Sequence, residues 1–409
     1  MTPSPRKLQG SDASPFRAIL RCCESSVPHN PAVVEDKIVK AFLAAHATAS
    51  RWQEAADACL AGLGHIPAEA NVGFLYATDA FAGELPEIFA YLKERTAVAH
   101  WTGTVGTGIC GNGREYHVVP AISLLIGSFS EEHFRILPPL TDKPDAFVRA
   151  ERTWLARHDH HFGIVHGDAR EMQVPKLLGE LGEALRGGFL VGGLTSSRTS
   201  YPQIADGMVE AALSGILFDA DVPIATALTQ SCAPFGGKHI ITQCQRNIAI
   251  RLDDRPALDV FREEIGEVLA RNLTRAAQTI GVALPVRGSD TGDYLVRNLM
   301  GVDENNNLLA IGEMLSTGQP LQFCRRDPAS AEADLRRMLR DLKARAPQPK
   351  GGVYYTCVGR GPNLFGAESG ELRIIQEELG DLPLTGFYCN GEISHNRLYG
   401  YTGVLTLFL

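Results

Sequence analysis

A pattern that occurs three times constrains the fold of this sequence most strongly. Each copy contains an apolar strand, a helix, a strand that carries a glycine before a polar loop, and another apolar strand. The copies begin at Gly73, Phe162 and Val353, and their spacing is too irregular for a solenoid. The pattern therefore predicts an α/β fold of mixed layers, in which repeated strand-helix-strand-strand units form two packed sheets flanked by helices.

The copies share a framework and differ in their loops. Gly103, Gly192 and Gly386 recur at one position, whereas the loops that follow them are glycine-rich, Ser/Thr-rich and Asn-Gly-Glu respectively. A shared scaffold with divergent loops is typical of a binding module. The four segments of each copy are 73–79, 85–95, 101–106 and 121–127; 162–168, 174–186, 190–195 and 215–219; and 353–357, 371–379, 385–391 and 402–408.

Length and composition indicate a soluble globular protein of more than one domain. The chain has 409 residues, of which 44% are hydrophobic and 21% charged. Residues 1–30 contain several prolines and serines and are predicted to be loosely ordered. Residues 31–65 are predicted to form a helical lead-in, and two α/β domains are expected at 66–265 and 266–409.

Charge and cysteine usage indicate the compartment and exclude several partners. A formal net charge of −8 argues against a nucleic-acid surface, and no apolar stretch is long enough for a membrane span. The nine cysteines include no CxxC pair, which fits neither a disulfide framework nor a zinc ribbon. We therefore expect a cytoplasmic protein with reduced thiols that binds neither nucleic acid nor membrane.

A glycine motif and a histidine cluster do not carry the chemistry that their residue types suggest. Gly106 to Gly111 spells G-x-G-x-x-G, but the loop residues after it run to Pro120 instead of opening a helix, as a dinucleotide site requires. His158, His160, His161 and His166 surround one strand entrance. Their spacing matches no established metal site, so we interpret them as a polar lead-in to a buried strand and predict no metal site.

Seven residues at strand ends and in loops are the candidates for ligand binding. Arg325 and Arg326 follow an apolar strand, where one guanidinium can clamp a carboxylate or phosphate while its neighbour faces the other side. Glu392 beside an arginine offers the pair of charges that an amino acid needs. The full candidate set is Gln230, Cys232, Arg325, Arg326, Arg360, Asn390 and Glu392.

Several strings in order along the chain resemble the FIST family, prokaryotic sensory proteins with an N-terminal and a C-terminal FIST domain. The resemblance covers about residues 66–409, so that 66–265 is expected to be the FIST N-type domain and 266–409 the FIST C-type domain. Its carriers are 191–196 (VGGLTS), 230–236 (QSCAPFG), 252–258 (LDDRPAL), 297–303 (RNLMGVD), 322–327 (QFCRRD), 386–393 (GFYCNGEI) and 401–407 (YTGVLTL).

The resemblance implies a non-enzymatic sensor that binds a small ligand, with amino acids or related metabolites as the proposed class. The family signals through kinase, cyclase or methyl-accepting modules, so we expect output through a separate protein such as a histidine kinase or a cyclase. No cofactor is required in this hypothesis.

Two other hypotheses stay open. Some relatives are implied to bind haem and sense nitric oxide, and His166 or His395 would then be the proximal ligand. The third hypothesis is a hydrolase or transferase that uses the thiol of Cys232 or Cys389.

Overall fold

A computed structural model describes residues 38–286 and 294–409, so the segment predicted to be loosely ordered, 1–30, lies outside the described residues. Helices and strands alternate in three successive repeats, and a further domain is inserted into the third. The first repeat consists of β1 (Val39–Thr48), α1 (Trp52–Leu63), β2 (Val72–Thr78), α2 (Leu85–Thr96), β3 (His100–Gly106), β4 (Gly108–Gly111), β5 (Arg114–His117) and β6 (Ala121–Phe129).

The second and third repeats follow the same order of elements. The second consists of β7 (Phe134–Leu140), α3 (Asp145–Ala150), α4 (Arg152–Leu155), β8 (His161–Gly167), α5 (Val174–Ala184), β9 (Phe189–Leu194), β10 (Gln203–Ala205), β11 (Met208–Val209) and β12 (Leu213–Asp219). The third begins with β13 (Ile224–Gln230). After the inserted domain it continues with α8 (Pro328–Arg345), β21 (Gly351–Cys357), α9 (Pro362–Phe365), α10 (Gly370–Leu379), β22 (Leu384–Cys389), β23 (Glu392–Ser394), β24 (Arg397–Tyr399) and β25 (Thr402–Phe408).

The inserted domain lies between β13 and α8. It contains β14 (Cys232–Gln245), β15 (Ile248–Leu252), β16 (Arg255–Pro256), α6 (Ala257–Ala270), α7 (Leu273–Thr279), β17 (Ile280–Pro285), β18 (Tyr294–Asp303), β19 (Leu308–Ile311) and β20 (Pro320–Arg326). Strand β14 pairs with β20 along its first half and with β15 along its second half, so this antiparallel sheet closes on itself. Helices α6 and α7 contribute to its separate apolar core.

Each repeat builds one sheet around a parallel pair of strands. The pairs are β2 with β3, β8 with β9, and β21 with β22, and each is flanked by the antiparallel last strand of its own repeat. The first strand of the repeat covers the outer edge of that last strand. The repeated α/β class is therefore confirmed, but the expected number of sheets was too small, because three copies give three sheets instead of two.

The short hairpins that follow the glycine strands are exchanged between repeats. Hairpin β4–β5 pairs with β22 in the third sheet, β10–β11 pairs with β3 in the first, and β23–β24 pairs with β9 in the second. The first repeat thus completes the sheet of the third, the second that of the first, and the third that of the second.

The recurring glycine of each repeat has a steric role. A Cβ at Gly103, Gly192 or Gly386 would lie 1.8–1.9 Å from the carbonyl oxygen of the residue paired with it on the neighbouring parallel strand. Gly192 also has a φ of 139°, a conformation that side-chain-bearing residues rarely adopt. The framework glycines therefore allow close approach of the two parallel strands.

The three sheets pack their inner faces against one another. Phe74, Ile164 and Val353 occupy equivalent positions on the three leading parallel strands and belong to one apolar core. Helices cover the outer faces, and α2 buries Ile88, Phe89 and Leu92 after a proline in its first turn. The chain thus forms an α/β body of three sheets with the inserted domain attached at one end of the third.

The helical lead-in predicted for residues 31–65 is wrong for its first described part. Residues 39–48 form β1, an edge strand that pairs with β6, whereas the helix starts only at Trp52. The prediction rests on Val34, Ile38, Phe42 and Ala45, which recur at helical spacing in the sequence. Pairing with the open edge of β6 decides the outcome, because that pairing satisfies the backbone groups of both strands.

Among the helices in the described parts of the chain, none combines the length and apolar character needed to cross a membrane.

Candidate functional site

Six of the seven candidate ligand residues lie on segments that meet where the inserted domain joins the third repeat. Gln230 ends β13, Cys232 begins β14, and Arg325 and Arg326 end β20. The backbone N–H of Ser231 donates to Tyr401 O at 3.0 Å and that of Asp327 to Ser231 O at 3.3 Å, which ties these strand ends to the start of β25. We call this region the junction; it comprises 230–232, 325–327, 357–361, 392 and 401–402.

The carboxyl group of Glu392 is the most unusual group at the junction. The side chain is fully buried, and its Oε2 accepts hydrogen bonds from Thr402 N (3.1 Å) and Thr402 Oγ1 (2.8 Å). Its Oε1 accepts no hydrogen bond from the described residues. Burial raises the pKa of Glu392 to about 7, although the bonds from Thr402, the charge of Arg360 and the nearby thiol of Cys357 oppose that rise. A carboxyl that titrates near neutral pH in a buried position is typical of a functional group.

Arg360 is fully buried and directs its donors to protein groups. Its Nε and Nη2 lie 2.8 and 2.7 Å from Glu371 Oε1, and its Nη1 donates to Ser231 Oγ. Tyr354 and Gly361 donate to the same carboxylate. The sequence did not indicate Glu371, because its burial depends on the loop of Arg360 folding back on the start of α10. Arg360 therefore joins the loop 357–361 to Ser231 and to the start of α10 through buried hydrogen bonds.

The neighbouring arginines of β20 face opposite sides, as alternation along a strand requires. The guanidinium of Arg325 lies 5.9 Å from the ring centre of Phe235. That of Arg326 lies 5.7 Å from the ring centre of Tyr401, and its Nη1 is 3.4 Å from Gly359 O. Both arginines are exposed. Only Arg326 adjoins the segment that binds Glu392, because Tyr401 directly precedes Thr402.

Tyr401 connects the third repeat, to which it belongs, with the inserted domain. Its φ is 60°, in the left-handed region that non-glycine residues seldom occupy. Its hydroxyl donates to Asn298 Oδ1 of the inserted domain at 2.8 Å, while its carbonyl accepts the bond from Ser231. A residue held in an uncommon conformation between two domains is typical of a switch or clamp.

The remaining candidates have other surroundings. Gln230 donates through Nε2 to Tyr294 O at 2.8 Å and therefore links β13 to the inserted domain. Asn390 is exposed, and its backbone N–H donates to Leu194 O at 3.0 Å on the second repeat. Cys232 is buried against Cys324 in a small apolar cluster.

The thiols near the junction are poorly placed for nucleophilic catalysis. Cys357 and Cys389 are paired residues on the parallel strands β21 and β22. Burial and the nearby charge of Glu392 raise the pKa of both thiols. A nucleophilic cysteine needs the opposite shift, because the thiolate is the reactive form. The geometry therefore gives no support to Cys389 as a nucleophile.

His166 occupies the centre of the α/β body. Its Nε2 is hydrogen-bonded to the hydroxyl of Tyr76 (2.9 Å) and its Nδ1 to that of Thr102 (3.3 Å), and Tyr76 also bonds Tyr355 at 2.8 Å. Burial lowers the pKa of His166 to about 3, so its ring is neutral. Both nitrogens are engaged inside a packed core, so His166 does not fit a haem ligand. His395 lies in the β23–β24 turn with its ring edge-on to Phe189 at 4.9 Å.

The hydrogen-bonded trio of Tyr76, His166 and Tyr355 at the centre of the α/β body was not predicted, although the sequence contains a signal for it. Tyr76, His166 and Tyr355 each follow the residue that pairs with the framework glycine of their repeat. Alignment of the three copies on those glycines would have placed them at one level of the fold.

Comparison with known proteins finds two adjoining family domains whose boundary lies inside the inserted domain, between β16 and α6. Residues 71–255 match the FIST N domain and residues 257–395 match the FIST C domain. An uncharacterized protein of Mycobacterium tuberculosis, Rv0628c, is 28% identical over 338 residues, which cover 79% of this chain and 87% of the relative. An uncharacterized protein of Mycobacterium bovis, Mb0898c, is 32% identical over 242 residues, 56% of this chain and 61% of the relative.

A plant protein shares a shorter segment. The F-box/LRR-repeat protein At5g63520 of Arabidopsis thaliana is 30% identical over 109 residues, which cover 25% of this chain and 21% of that protein. The two domain matches together extend over most of the chain, in the order expected from the sequence. The chain therefore belongs to the FIST family, whose domains are associated with sensory and signal-transduction roles and not with catalysis.

Proposed function

We propose that this protein is a cytoplasmic sensor that binds an amino acid or a related metabolite at the junction and acts through a separate signalling protein. The observation that carries the proposal is the buried carboxyl of Glu392, which has a pKa of about 7 and one oxygen without a hydrogen bond from the described residues. Such an oxygen is a ready acceptor for a ligand ammonium group.

The charges around Tyr401 suit a ligand that carries both an amine and a carboxylate. The guanidinium of Arg326 lies on one side of Tyr401, and the carboxyl of Glu392 is bonded to Thr402, the next residue along the chain. An arginine recognises a carboxylate through charge-assisted hydrogen bonds, and an ionised glutamate recognises an ammonium in the same way. Arg360 is not assigned a ligand contact, because Glu371 and Ser231 already engage it.

Ligand access to Glu392 requires a movement at the junction, because the carboxyl is fully buried, and we assign that movement to Tyr401, which directly precedes Thr402. Tyr401 is bonded to Ser231 and to Asn298, so its displacement would change the contact between the inserted domain and the third repeat. A ligand that binds only when Tyr401 is displaced would therefore favour the arrangement of the inserted domain and the third repeat in which that contact is changed. This is how ligand occupancy would reach a partner protein.

A thermal-shift screen against amino acids, nucleotides and haem tests the proposal. We expect an amino acid or related metabolite to raise the melting temperature, because a ligand at about 100 times its Kd stabilises the folded state by roughly 2.7 kcal/mol. Arg326→Ala and Glu392→Gln should lose this stabilisation. Arg325→Ala is the matched control, since Arg325 faces Phe235, and it should keep the response.

Equal stabilisation of all three variants by the ligand would rule out the junction as the site. Stabilisation by haem alone, with no amino acid or related metabolite active, would contradict the ligand class. The output is tested with a candidate histidine kinase or cyclase, whose rate of autophosphorylation or of product formation should change when ligand is added to the complex. A rate that does not respond to ligand would contradict the proposed output.

A further inference from the structure

A second group of titratable side chains lies outside the junction, at one end of the second sheet. His133 directly precedes β7, His158 precedes β8, and Asp219 ends β12, with Asp221 in the turn that follows. Strand β12 lies between β7 and β8 and is antiparallel to both, so its last residue meets the beginnings of its two neighbours. The topology therefore assembles residues that are up to 88 positions apart in sequence.

Three of these residues, His133, Asp219 and Asp221, offer ligand atoms close enough together for one ion, and His158 approaches two of them. His133 Nδ1 lies 3.0 Å from Asp219 Oδ2, while His158 Nε2 lies 3.5 Å from Asp219 Oδ2 and 3.4 Å from Asp221 Oδ2. Potential ligand atoms of His133, Asp219 and Asp221 lie within 4.8 Å of one another. Ligands about 2.0–2.1 Å from a tetrahedral zinc ion are themselves about 3.3–3.4 Å apart. His158 lies 3.4–3.5 Å from both aspartates and would be the fourth ligand of an ion held by the other three.

An additional buried histidine, His161, lies at the same end of the sheet. His161 is paired directly opposite Asp219 in the β8–β12 ladder, so the two side chains project from the same face of the sheet. The residue is only 1% exposed, and neither ring nitrogen makes a well-aligned hydrogen bond with the described parts of the chain, although the backbone of Leu185 lies within its electrostatic reach. Its ring centre is 6.4 Å from that of His158. Buried polar groups are almost always bonded, so an imidazole without a well-aligned partner beside Asp219 is compatible with a water or ion at this end of the sheet.

We propose that His133, His158, Asp219 and Asp221 form a binding site for a divalent transition-metal ion of the zinc type. Two neutral imidazoles and two carboxylates balance the charge of such an ion, and mixed nitrogen and oxygen ligands favour zinc over magnesium. Asp219 is buried whereas Asp221 is exposed, which gives the ion a route from solvent. A bound ion would fasten the starts of β7 and β8 to the end of β12.

The sequence pattern could not disclose this site. The run His158 to His161 was interpreted as a polar lead-in, because no pair within it has the spacing of known ligands. The structure assigns only His158 of that run as a ligand and takes the others from two distant strand ends. His160 lies between His158 and His161 in the chain but belongs to none of the close pairs described here.

Metal titration of the full chain, freed of any histidine tag and treated with EDTA, tests the proposal. We expect one equivalent of Zn²⁺ to bind by calorimetry and to raise the melting temperature. Co²⁺ in the same site should give the intense visible absorption of a tetrahedral complex. His158→Ala and Asp221→Asn should weaken binding at least about tenfold each, and both side chains are accessible enough for the fold to persist.

Two neighbouring variants serve as matched controls. Asp159→Asn removes a fully exposed carboxylate, and His160→Ala removes the adjacent imidazole, and both should bind Zn²⁺ like the unaltered chain. Absence of stoichiometric binding would overturn the proposal. Equal affinity in His158→Ala, Asp221→Asn and the unaltered chain would overturn it too, because the ion would then bind elsewhere. Circular dichroism of each variant separates loss of ligand from loss of fold.

Discussion

Two buried acidic residues near the junction, Glu392 and Glu371, have different electrostatic surroundings. Glu392 is buried next to a thiol and an arginine, and its carboxyl is nearly balanced between its two protonation states at neutral pH. Arg360 and Glu371, by contrast, form a complete ion pair with further donors from Tyr354 and Gly361. Breaking such a buried pair is far more damaging than its net contribution suggests, because one charge would be left alone.

The titration of Glu392 predicts a pH-dependent stability. Its pKa rises from 4.5 in the unfolded chain to about 7 in the folded protein, so folding favours the protonated carboxyl. The contribution is complete below about pH 4.5 and is lost as the pH rises through 7, by roughly 3 kcal/mol. Glu392→Gln mimics the protonated form, so it should be the more stable protein above pH 7 and differ little near pH 4.5.

Urea unfolding at several pH values measures this effect. The control is Glu368→Gln, which neutralises a carboxylate that is 85% exposed and should leave the pH profile unchanged. A stability difference between Glu392→Gln and the unaltered protein that is constant with pH would show that Glu392 does not titrate in this range.

At the scale of strands and helices, close approach of paired backbones decides which substitutions the fold tolerates. Gly192→Ala would place a Cβ 1.9 Å from Val165 O, and its φ of 139° is unfavourable for alanine. We expect a loss of more than about 2 kcal/mol in the free energy of unfolding. Chemical denaturation of the purified variant measures this loss.

Gly179→Ala is the matched control within the same repeat. Gly179 lies inside α5 and a Cβ there would meet nothing within 4 Å. Alanine has the better helix propensity, so this change should stabilise the protein by about 0.5–1 kcal/mol. A similar effect of both substitutions would contradict the role assigned to the framework glycine.

The elements that depend on local pattern could be predicted from sequence, and those that depend on distant pairing could not. The strands from Val72, His161 and Gly351 and the helices after them follow from apolar periodicity and prolines. Strand β1 is predicted as a helix because Val34, Ile38, Phe42 and Ala45 recur at helical spacing in the sequence. The exchanged hairpins have no local signal for their partners, and neither does the meeting of His133 with Asp219.

For the candidate site, too, the individual residues could be predicted from local pattern, but their arrangement in space could not. Glu392 and Arg326 stand out in the sequence as charges beside apolar strand ends. Their arrangement around Tyr401 depends on where the inserted domain joins the third repeat, which no local pattern specifies. The burial of Arg360 had no sequence signal, because Glu371 reaches it only after the loop folds back.

At the scale of the whole molecule, the two FIST domains share one sheet. Strand β13 and hairpin β4–β5 belong to the FIST N match, but they pair with β25 and β22 near the end of the chain. A fragment of residues 66–255 would lack those partners. We expect it to be unfolded or aggregated when expressed alone, as judged by size-exclusion chromatography and circular dichroism.

Removal of the inserted domain is the informative comparison. Ser231 and Asp327 are adjacent across its base, where Asp327 N–H donates to Ser231 O at 3.3 Å. A short linker in place of residues 232–326 would leave all three sheets with their strands, so this deletion should stay folded. A folded 66–255 fragment, or an unfolded deletion variant, would contradict the interdependence of the three repeats.

The one-way exchange of hairpins also bears on how such a protein could arise. Three separate chains of one repeat could make the same contacts as a symmetric homotrimer, with each subunit lending its hairpin to the next. Gene duplication and fusion would then preserve every strand pairing, and the three copies could afterwards diverge in sequence. Only after fusion could one copy accept an inserted domain and acquire Glu392, while another acquired the histidines at its strand ends.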